Sequence, residues 1–180
     1  MSLNIISLNV NGVRDNNKRS TLFHWLQEQN FDLIYIQESH CESQEDIDMW
    51  TKEWQGKTFW SNGTKASKGV ACLIKPKLDL NIIEIQKDTD GRFLHVNVIV
   101  DEMKFTIVNI YAPNNVSERK TFFKNTNKKI EDIRQANPEF ELILLGDFNC
   151  AINPEYDRRN DRGQHTKTPD GGIQELQFLI

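Results

Sequence analysis

The spacing of apolar and polar residues divides the chain into short predicted strands. From Asn4 to Val10, apolar residues alternate with polar ones, which predicts a strand with one buried face. Leu33 to Ile36 is apolar throughout, which predicts a strand buried on both faces. The same reasoning predicts further strands at 69–76, 79–87, 92–100, 104–112 and 142–146. The strands at 92–100 and 104–112 are expected to pair antiparallel through a turn at Asp101 and Glu102.

Helical patterns follow the first strand and lie on either side of the last one. Leu22, Phe23, Trp25 and Leu26 are expected to form the apolar face of the first helix. A second helix is predicted from a cap at Ser117 to about residue 135, before Pro138. Its buried face should consist of Phe122, Phe123, Ile130 and Ile133. Residues 173–180 resemble the opening of a third helix.

Length, charge and cysteine content limit the classes of protein to consider. A chain of 180 residues fits one domain. Its net charge of −4 weighs mildly against a protein that binds non-specifically along nucleic acid. An enzyme with this net charge can still bind phosphates locally. Three cysteines without a CxxC pair suit a reducing compartment. No run approaches the roughly 18 apolar residues of a membrane span, and "MSLNIISLNV" lacks the features of a signal peptide.

Polar side chains follow four of the predicted strands at the point where each strand ends. They are Asn9 and Asn11, Glu38, Tyr111 and Asn114, and Asp147 and Asn149. In α/β sheets ligands bind at strand ends, so we expect these side chains to share one cleft. Carboxylate and amide oxygens select a hard cation such as Mg²⁺. A carboxylate there can also orient an attacking water, which points to metal-assisted hydrolysis of a phosphoester.

Each of these residues also has a purely structural interpretation. Asn9 could be a buried amide that bonds a neighbouring strand, and Glu38 could cap a helix or pair with a lysine. Tyr111 could fill the core with its hydroxyl satisfied. Asp147 and Asn149 could form an Asx turn. These interpretations weaken because four strand ends would need them together.

Four motifs occur in a fixed order along the chain. They are "LNVNG" (8–12), "IQES" (36–39), "NIYAPN" (109–114) and "LLGDFN" (144–149). In this order they resemble the exonuclease III-like endonuclease/exonuclease/phosphatase superfamily. "QESH", "GVACLI" and "DFNCAINPEYDRRN" resemble most closely the apurinic-like endonuclease domain of non-LTR (LINE-type) retrotransposon polyproteins. The resemblance covers residues 4–180 and implies a DNase I-like α/β fold, a four-layer sandwich of two mixed β-sheets flanked by helices.

The resemblance also implies a role for each strand-end residue. It makes Glu38 the principal metal ligand and places Asn11 beside the metal, where many members carry an aspartate. Asn9 would lie beside the metal and the phosphate, and Tyr111 would approach the scissile phosphate. Asp147 would position or activate the attacking water. The implied cofactor is Mg²⁺, and Mn²⁺ would suit the same ligands.

Substrate contacts are implied for three further residues. Asn149 would hold the phosphate and Asn114 would contact it. Arg158 falls where retrotransposon members place a basic residue that faces DNA. Arg159, Arg162, Lys65 and Lys68 are further candidates for phosphate contacts, although a solvated loop explains their charges equally well.

One part of the superfamily pattern is missing from the chain. Members continue into strands that carry a further aspartate and a Ser-Asp-His segment, and none of the four histidines matches that histidine. We therefore expect a single domain, residues 1–180, that lacks its C-terminal strands and leaves one sheet with an open edge. Such a fragment should be less stable and more prone to aggregation than an extended chain.

The resemblance implies a Mg²⁺-dependent endonuclease of a retrotransposon that nicks DNA and leaves a 3′-hydroxyl. Two alternatives remain open. The first is a repair-type AP endonuclease or a phosphatase of the same superfamily, and the second is a catalytically silent truncated fragment. The implied partners are DNA and, in a full-length polyprotein, a reverse transcriptase domain. We expect a monomer that does not bind membranes, and intracellular action on nuclear DNA, although the chain has no Lys/Arg-rich import run.

Overall fold

The structure is a computed structural model that describes residues 3–76, 78, 80–151, 153, 156 and 171–177. Its elements, in chain order, are β1 (Ile5–Asn9), α1 (Asn16–Glu28), β2 (Leu33–Gln37), α2 (Gln44–Trp54), β3 (Thr58–Ser61), β4 (Val70–Ile74), β5 (Asn81–Lys87), β6 (Phe93–Val100), β7 (Met103–Tyr111), α3 (Val116–Ala136), β8 (Glu141–Asp147) and α4 (Ile173–Gln177). By contact they divide into two units, Met1–Tyr111 with Glu139–Asp147, and Ala112–Pro138 with Phe148–Ile180.

The first unit contains two four-stranded mixed sheets. The order in the first sheet is β1-β2-β4-β3, and β1 and β2 are parallel while β4 is antiparallel to both its neighbours. The order in the second sheet is β5-β6-β7-β8, and only β7 and β8 are parallel. Parallel pairing brings the C-terminal ends of β1 and β2 together, and those of β7 and β8 together.

An apolar layer packs the two sheets against each other. It includes Leu33 and Tyr35 of β2 together with Val96 of β6 and Ile107 of β7. Alternate residues of β2 point the other way, so Ile34 and Ile36 belong to a second core beneath α1 and α2. All five residues of β2 are buried, which confirms the expectation from its continuous apolar sequence.

Trp50 and Trp54 anchor α2 in that second core. Each of these indoles is 1% exposed or less, and an edge-to-face contact at 5.4 Å joins Trp54 to Phe23 of α1. Ser43 begins the helix with a reciprocal capping box to Asp46. This helix was not among those predicted from the sequence, although its apolar residues Ile47, Trp50 and Trp54 recur at helical spacing.

The structure corrects two details of the predicted helices. Asn115, not Ser117, caps α3, because the Asn115 side chain accepts from the backbone N–H groups of Ser117 and Glu118. Trp25 was expected on the buried face of α1, but it is 43% exposed, while Phe23 and Leu26 are buried. The predicted turn at Asp101 and Glu102 is confirmed, and both residues have positive φ.

The second unit contains α3 and the five-residue α4. Arg119 of α3 is buried and donates to the carbonyl oxygens of Gly171 and Asn114 at 2.8–3.0 Å. Phe123, Ile130 and Ile133 of α3 are buried, as predicted, while Phe122 is only partly so. The apolar residues 178–180 of the predicted third helix lie outside the described residues.

Two mixed sheets with associated helices confirm the predicted α/β class. Among the helices within the described ranges, none has the length and apolar character needed to cross a membrane.

Candidate active site

Asn9, the last residue of β1, is the centre of a cluster that joins the two sheets. Its Nδ2 donates to Oε1 of Glu38 at 2.9 Å and to Oδ2 of Asp147 at 2.8 Å. Its Oδ1 accepts from the backbone N–H of Asn11 at 3.0 Å. Both amide hydrogens of Asn9 are therefore used on carboxylates, one from each sheet. Asn9 is exposed, so it is not the buried amide of the structural interpretation.

The loops after β1 and β2 hold each other in place. The backbone N–H of Gly12 donates to the carbonyl of Glu38 at 2.7 Å. Asn11 and Glu38 both have left-handed backbone conformations, with φ of 45° and 53°. Lys18 of α1 stabilises the first loop, because its Nζ donates to the carbonyls of Val10 and Asn11 at 2.8 Å each.

Glu38 is held in its charged form by its neighbours. Burial by itself raises the pKa of this carboxyl, but hydrogen bonds from Asn9 and Tyr111 and the charge of His40 outweigh that effect. The net result is a pKa below the ordinary value, so Glu38 is ionised at neutral pH. Within the described part of the chain Glu38 caps no helix and pairs with no lysine, so neither structural interpretation of this residue is supported there.

Tyr111 ends β7 and brings a phenol from the second sheet to Glu38. Its ring is 5% exposed and its hydroxyl donates to the Glu38 carboxylate. Burial, and then the hydrogen bond to Glu38 and the negative charge of that residue, raise the pKa of Tyr111 to about 12. Arg92 lies over the ring, 5.0 Å from its centroid, and donates to the Tyr111 carbonyl at 2.9 Å. Tyr111 therefore faces Glu38 as a protonated hydrogen-bond donor.

Asp147 is the last residue of β8 and pairs in register with Tyr111. Gly146 before it has φ of 136° and lies opposite Ile110, where an added Cβ would come within 2.1 Å of the Ile110 carbonyl oxygen. Only glycine fits so close to a neighbouring backbone. The "GD" of the motif thus lets β8 pair with β7 up to the carboxylate.

The remaining predicted site residues belong to the second unit or fall outside the described residues. Asn114 and Asn149 belong to the second unit, in which Nδ2 of Asn149 donates to the Ala112 carbonyl at 2.7 Å. Arg158, Arg159 and Arg162 lie outside the described residues. Of the predicted set, the structure brings together Asn9, Asn11, Glu38, Tyr111 and Asp147.

His40 is a neighbour of the site to which sequence analysis gave no role. Its Nε2 lies 3.7 Å from Oε2 of Glu38, and the imidazole is only 15% exposed. An added Cβ on Gly12 would lie 2.6 Å from its Nδ1, so the glycine of "LNVNG" leaves room for this ring. Its position two residues after Glu38 in "QESH" was the available signal.

The donor atoms that could hold a metal are oxygens. The described part of the chain contains no cluster of three or more His, Cys, Asp or Glu side chains placed to bind one. The Glu38 carboxylate can offer lone pairs to a metal beside the hydrogen bonds that it accepts. The exposed Asn11 lies in the loop after β1, which is hydrogen-bonded to the loop that carries Glu38. Two carboxylates held on one amide repel each other, which favours a nearby cation. This set fits a hard ion such as Mg²⁺, which retains several waters.

Solved structures share the fold of the chain. AP endonuclease LMAP from Leishmania major aligns with 98% of this chain and 66% of its own, with a TM-score of 0.75 and 15% identity. TDP2 of D. rerio, solved in complex with a single-strand DNA product, aligns with 83% of this chain and 61% of its own, with a TM-score of 0.62 and 19% identity. These likenesses show the α/β fold of two mixed sheets flanked by helices.

A sequence relative comes from a transposon. The chain is 28% identical over 153 residues to the Transposon TX1 uncharacterized 149 kDa protein of Xenopus laevis. The match covers 85% of the chain and 11% of that protein. The model of a protein family described as Endonuclease/Exonuclease/phosphatase matches residues 6–172, which include the whole cluster around Asn9. The chain belongs to the Endonuclease/Exonuclease/phosphatase family.

Proposed function

We propose that the chain is a Mg²⁺-dependent endonuclease of a retrotransposon that hydrolyses DNA phosphodiester bonds, nicking one strand and leaving a 3′-hydroxyl. The observation that carries the proposal is the Asn9 amide, which holds the carboxylates of Glu38 and Asp147 together beside the Tyr111 hydroxyl. Metal-assisted hydrolysis of a phosphoester uses one carboxylate to bind the metal and another to position the attacking water. This cluster would supply both.

Glu38 is the proposed principal ligand of Mg²⁺, or of Mn²⁺ in its place, and Asn11 is the proposed second. Glu38 is ionised at neutral pH because Asn9 and Tyr111 stabilise its charge, so a metal need not compete with a proton there. A bound divalent ion would offset the negative charge that grows on the phosphate oxygens during attack.

Protein side chains are proposed to activate the attacking water and to bind the phosphate. Asp147 would accept a proton from the attacking water or orient it, and Asn9 holds this carboxylate by the bond to Oδ2. The Tyr111 hydroxyl, kept protonated by its raised pKa, would turn from Glu38 to the scissile phosphate and donate its one hydrogen there. Asn114, Asn149 and Arg158 are the proposed contacts to the phosphate and the DNA backbone.

DNA is the proposed substrate for two reasons. Relatives in fold include an AP endonuclease and a TDP2 solved with a single-strand DNA product, and a relative in sequence is a transposon protein. In addition, Lys68 lies in the β3–β4 loop, whose backbone pairs with the loop that follows Glu38. Lys68 and Lys65 are proposed to contact backbone phosphates, as are Arg159 and Arg162. The chain, proposed to act as a monomer, would be one domain of a longer polyprotein with a reverse transcriptase that extends the 3′-hydroxyl.

Two other functions remain candidates. A repair-type AP endonuclease or a phosphatase would use the same metal site with different recognition loops. A catalytically silent domain would conserve the cluster without turnover. Neither is favoured by a contact in the described residues.

The test is conversion of supercoiled plasmid to open circle by the 180-residue chain with Mg²⁺. Wild type is compared with Asp147→Ala and with Asp132→Ala, which changes an exposed acid on α3. We expect nicking by wild type and Asp132→Ala, none by Asp147→Ala, and none with EDTA. Direct extension of the nick by a DNA polymerase would demonstrate the 3′-hydroxyl. Nicking by Asp147→Ala would remove Asp147 from the mechanism.

The same preparations distinguish the alternatives. Cleavage of an abasic-site duplex without nicking of intact plasmid would favour repair. Release of phosphate from a phosphomonoester, with no DNA cleavage, would favour a phosphatase. Inactivity on all three substrates, with Mg²⁺ and with Mn²⁺, by chain with a cooperative melting transition would contradict the proposed function and favour the silent domain.

A further inference from the structure

Two buried amides, Gln37 and Asn109, form a polar bridge within the apolar layer between the sheets. Gln37 of β2 is 1% exposed and Asn109 of β7 is fully buried. Nε2 of Gln37 donates to Oδ1 of Asn109 at 2.7 Å and to Oγ of Ser7 at 3.0 Å. Nδ2 of Asn109 donates to the carbonyls of Ile36 and Ala71 at 3.0 and 3.2 Å. All four amide hydrogens therefore have acceptors.

Each amide of the bridge lies next to the backbone of the candidate active site, which consists of Asn9 and Glu38 from the first sheet and Tyr111 and Asp147 from the second. Gln37 pairs in register with Asn9 and directly precedes Glu38. Asn109 precedes Tyr111 by two residues, so the two side chains point to the same face of β7. Tyr111 in turn pairs with Asp147. Gln37 is therefore attached to the backbone next to Asn9 and Glu38. Asn109 is attached to the strand that carries Tyr111 and pairs with Asp147.

Apolar contacts alone do not fix how one sheet lies on the other. Hydrophobic burial has no preferred direction, so the layer formed by residues such as Tyr35 and Ile107 defines the lateral position of the sheets less sharply than a hydrogen bond does. Hydrogen bonds are directional and weaken steeply when misaligned. Because a site assembled from both sheets needs its groups placed to well under 1 Å, a directional contact between the sheets has a specific use here.

A contribution to the stability of the fold explains the presence of this buried amide pair less well than a role in positioning does. For the bond between Gln37 and Asn109, replacing both partners by apolar groups of similar shape is expected to be nearly neutral, while the acceptors on Ser7, Ile36 and Ala71 each lose a donor. We propose that Gln37 and Asn109 are positioning residues, which hold the half of the active site on the first sheet in register with the half on the second. The proposal deepens the proposed function and rests on it.

The experiment replaces both amides by apolar residues of similar size, in the double variant Gln37→Met with Asn109→Leu. We expect kcat for plasmid nicking to fall roughly ten- to hundredfold, because catalytic groups lose alignment. KM for DNA should change by less than about threefold, since neither side chain is placed on the substrate. A structural control is Thr106→Val, which removes a buried hydrogen bond to Asn97 from the opposite face of β7.

A second readout does not depend on activity. The side-chain amide resonances of Asn9, identified by their loss in Asn9→Ser, report whether its two hydrogens still reach Glu38 and Asp147. We expect these resonances to shift or broaden in the double variant and to stay in place in Thr106→Val. Failure of wild type to nick any DNA would contradict the proposed function, and the Asn9 resonances would still decide the role of the bridge.

Two results would overturn the proposal. One is a double variant whose Asn9 resonances and kcat both equal those of wild type. The other is a loss of kcat in Thr106→Val as large as that in the double variant, which would show that any weakened packing of β7 has the same effect.

Discussion

Asn9 and Asp147, 138 positions apart in the sequence, are joined by a hydrogen bond of 2.8 Å between Nδ2 and Oδ2. Asn9 ends a strand of the first sheet and Asp147 ends a strand of the second. The same Nδ2 also binds Glu38, so one amide determines the spacing of both acids. Asn9 is thus the side chain on which the arrangement of the cluster most directly depends.

Replacing Asn9 by aspartate should disable the cluster without unfolding the chain. Asn9→Asp removes both N–H donors and adds a third carboxylate between Glu38 and Asp147, and like charges repel. We expect nicking to fall by roughly a hundredfold or more, while the melting temperature changes by only a few degrees because the residue is exposed. Plasmid nicking and thermal unfolding, measured on one preparation, check this expectation. Full activity in Asn9→Asp would show that the amide hydrogens have no part in the mechanism.

Gly146→Ala should disturb the pairing of β7 with β8. The new methyl group would lie 2.1 Å from the Ile110 carbonyl oxygen, and the residue has positive φ, so the backbone itself must move. We expect a loss of about 2 to 4 kcal/mol in the free energy of unfolding. Urea denaturation measures it. The control is Ile83→Ala, at a side chain that is 50% exposed, and it should change stability by less than about 1 kcal/mol.

Tyr111 should make the stability of the fold depend on pH in the alkaline range. Its pKa is about 12 in the folded chain against an ordinary value of 10.0, so the unfolded chain loses this proton first. The folded state then binds more protons, and the free energy of unfolding must fall as pH rises from 10 to 12. Urea denaturation at pH 9 and pH 11 should show a smaller fall for Tyr111→Phe than for wild type.

The control for that measurement is Tyr156→Phe, because the Tyr156 ring is 76% exposed. The free energy of unfolding of Tyr156→Phe should depend on pH in the same way as that of wild type. If that of Tyr111→Phe does so too, the phenol of Tyr111 does not hold a raised pKa in the folded state.

The three cysteines should differ in reactivity. Burial raises the pKa of Cys41 and of Cys72 to about 12, so neither carries a thiolate at pH 8, and both are buried. Cys150 is partly exposed. We expect an aromatic disulfide reagent at pH 8 to modify one thiol per chain in the native protein and three after denaturation. Cys150→Ser should abolish the rapid modification of the native protein. Rapid modification that persists in this variant would mean that Cys41 or Cys72 becomes exposed to solvent.

Much of the fold was predictable from local pattern. The alternation from Asn4 to Val10 predicted the buried face of β1, and the continuous apolar run at Leu33 predicted a strand covered on both sides. The pattern did not yield α2. It also placed Trp25 on the buried face of α1, where Phe23 and Leu26 are buried but Trp25 is 43% exposed. Asn115 was passed over as the cap because Ser117 two residues later is an equally good capping type.

For the candidate site, the sequence by itself determined which side chains stand at the strand ends, because strand ends are set by local apolar runs and by Pro and Gly. It therefore supplied Asn9, Glu38, Tyr111 and Asp147 as candidates. Only the tertiary structure decided that both hydrogens of Asn9 bind carboxylates, that His40 lies beside Glu38, and that Gln37 meets Asn109 between the sheets. The contacts of Asn9 with Asp147 and of Gln37 with Asn109 join residues 138 and 72 positions apart, through the packing of one sheet on the other. No local pattern encodes that packing, because apolar burial is non-directional and the geometry of the closed fold selects the partners.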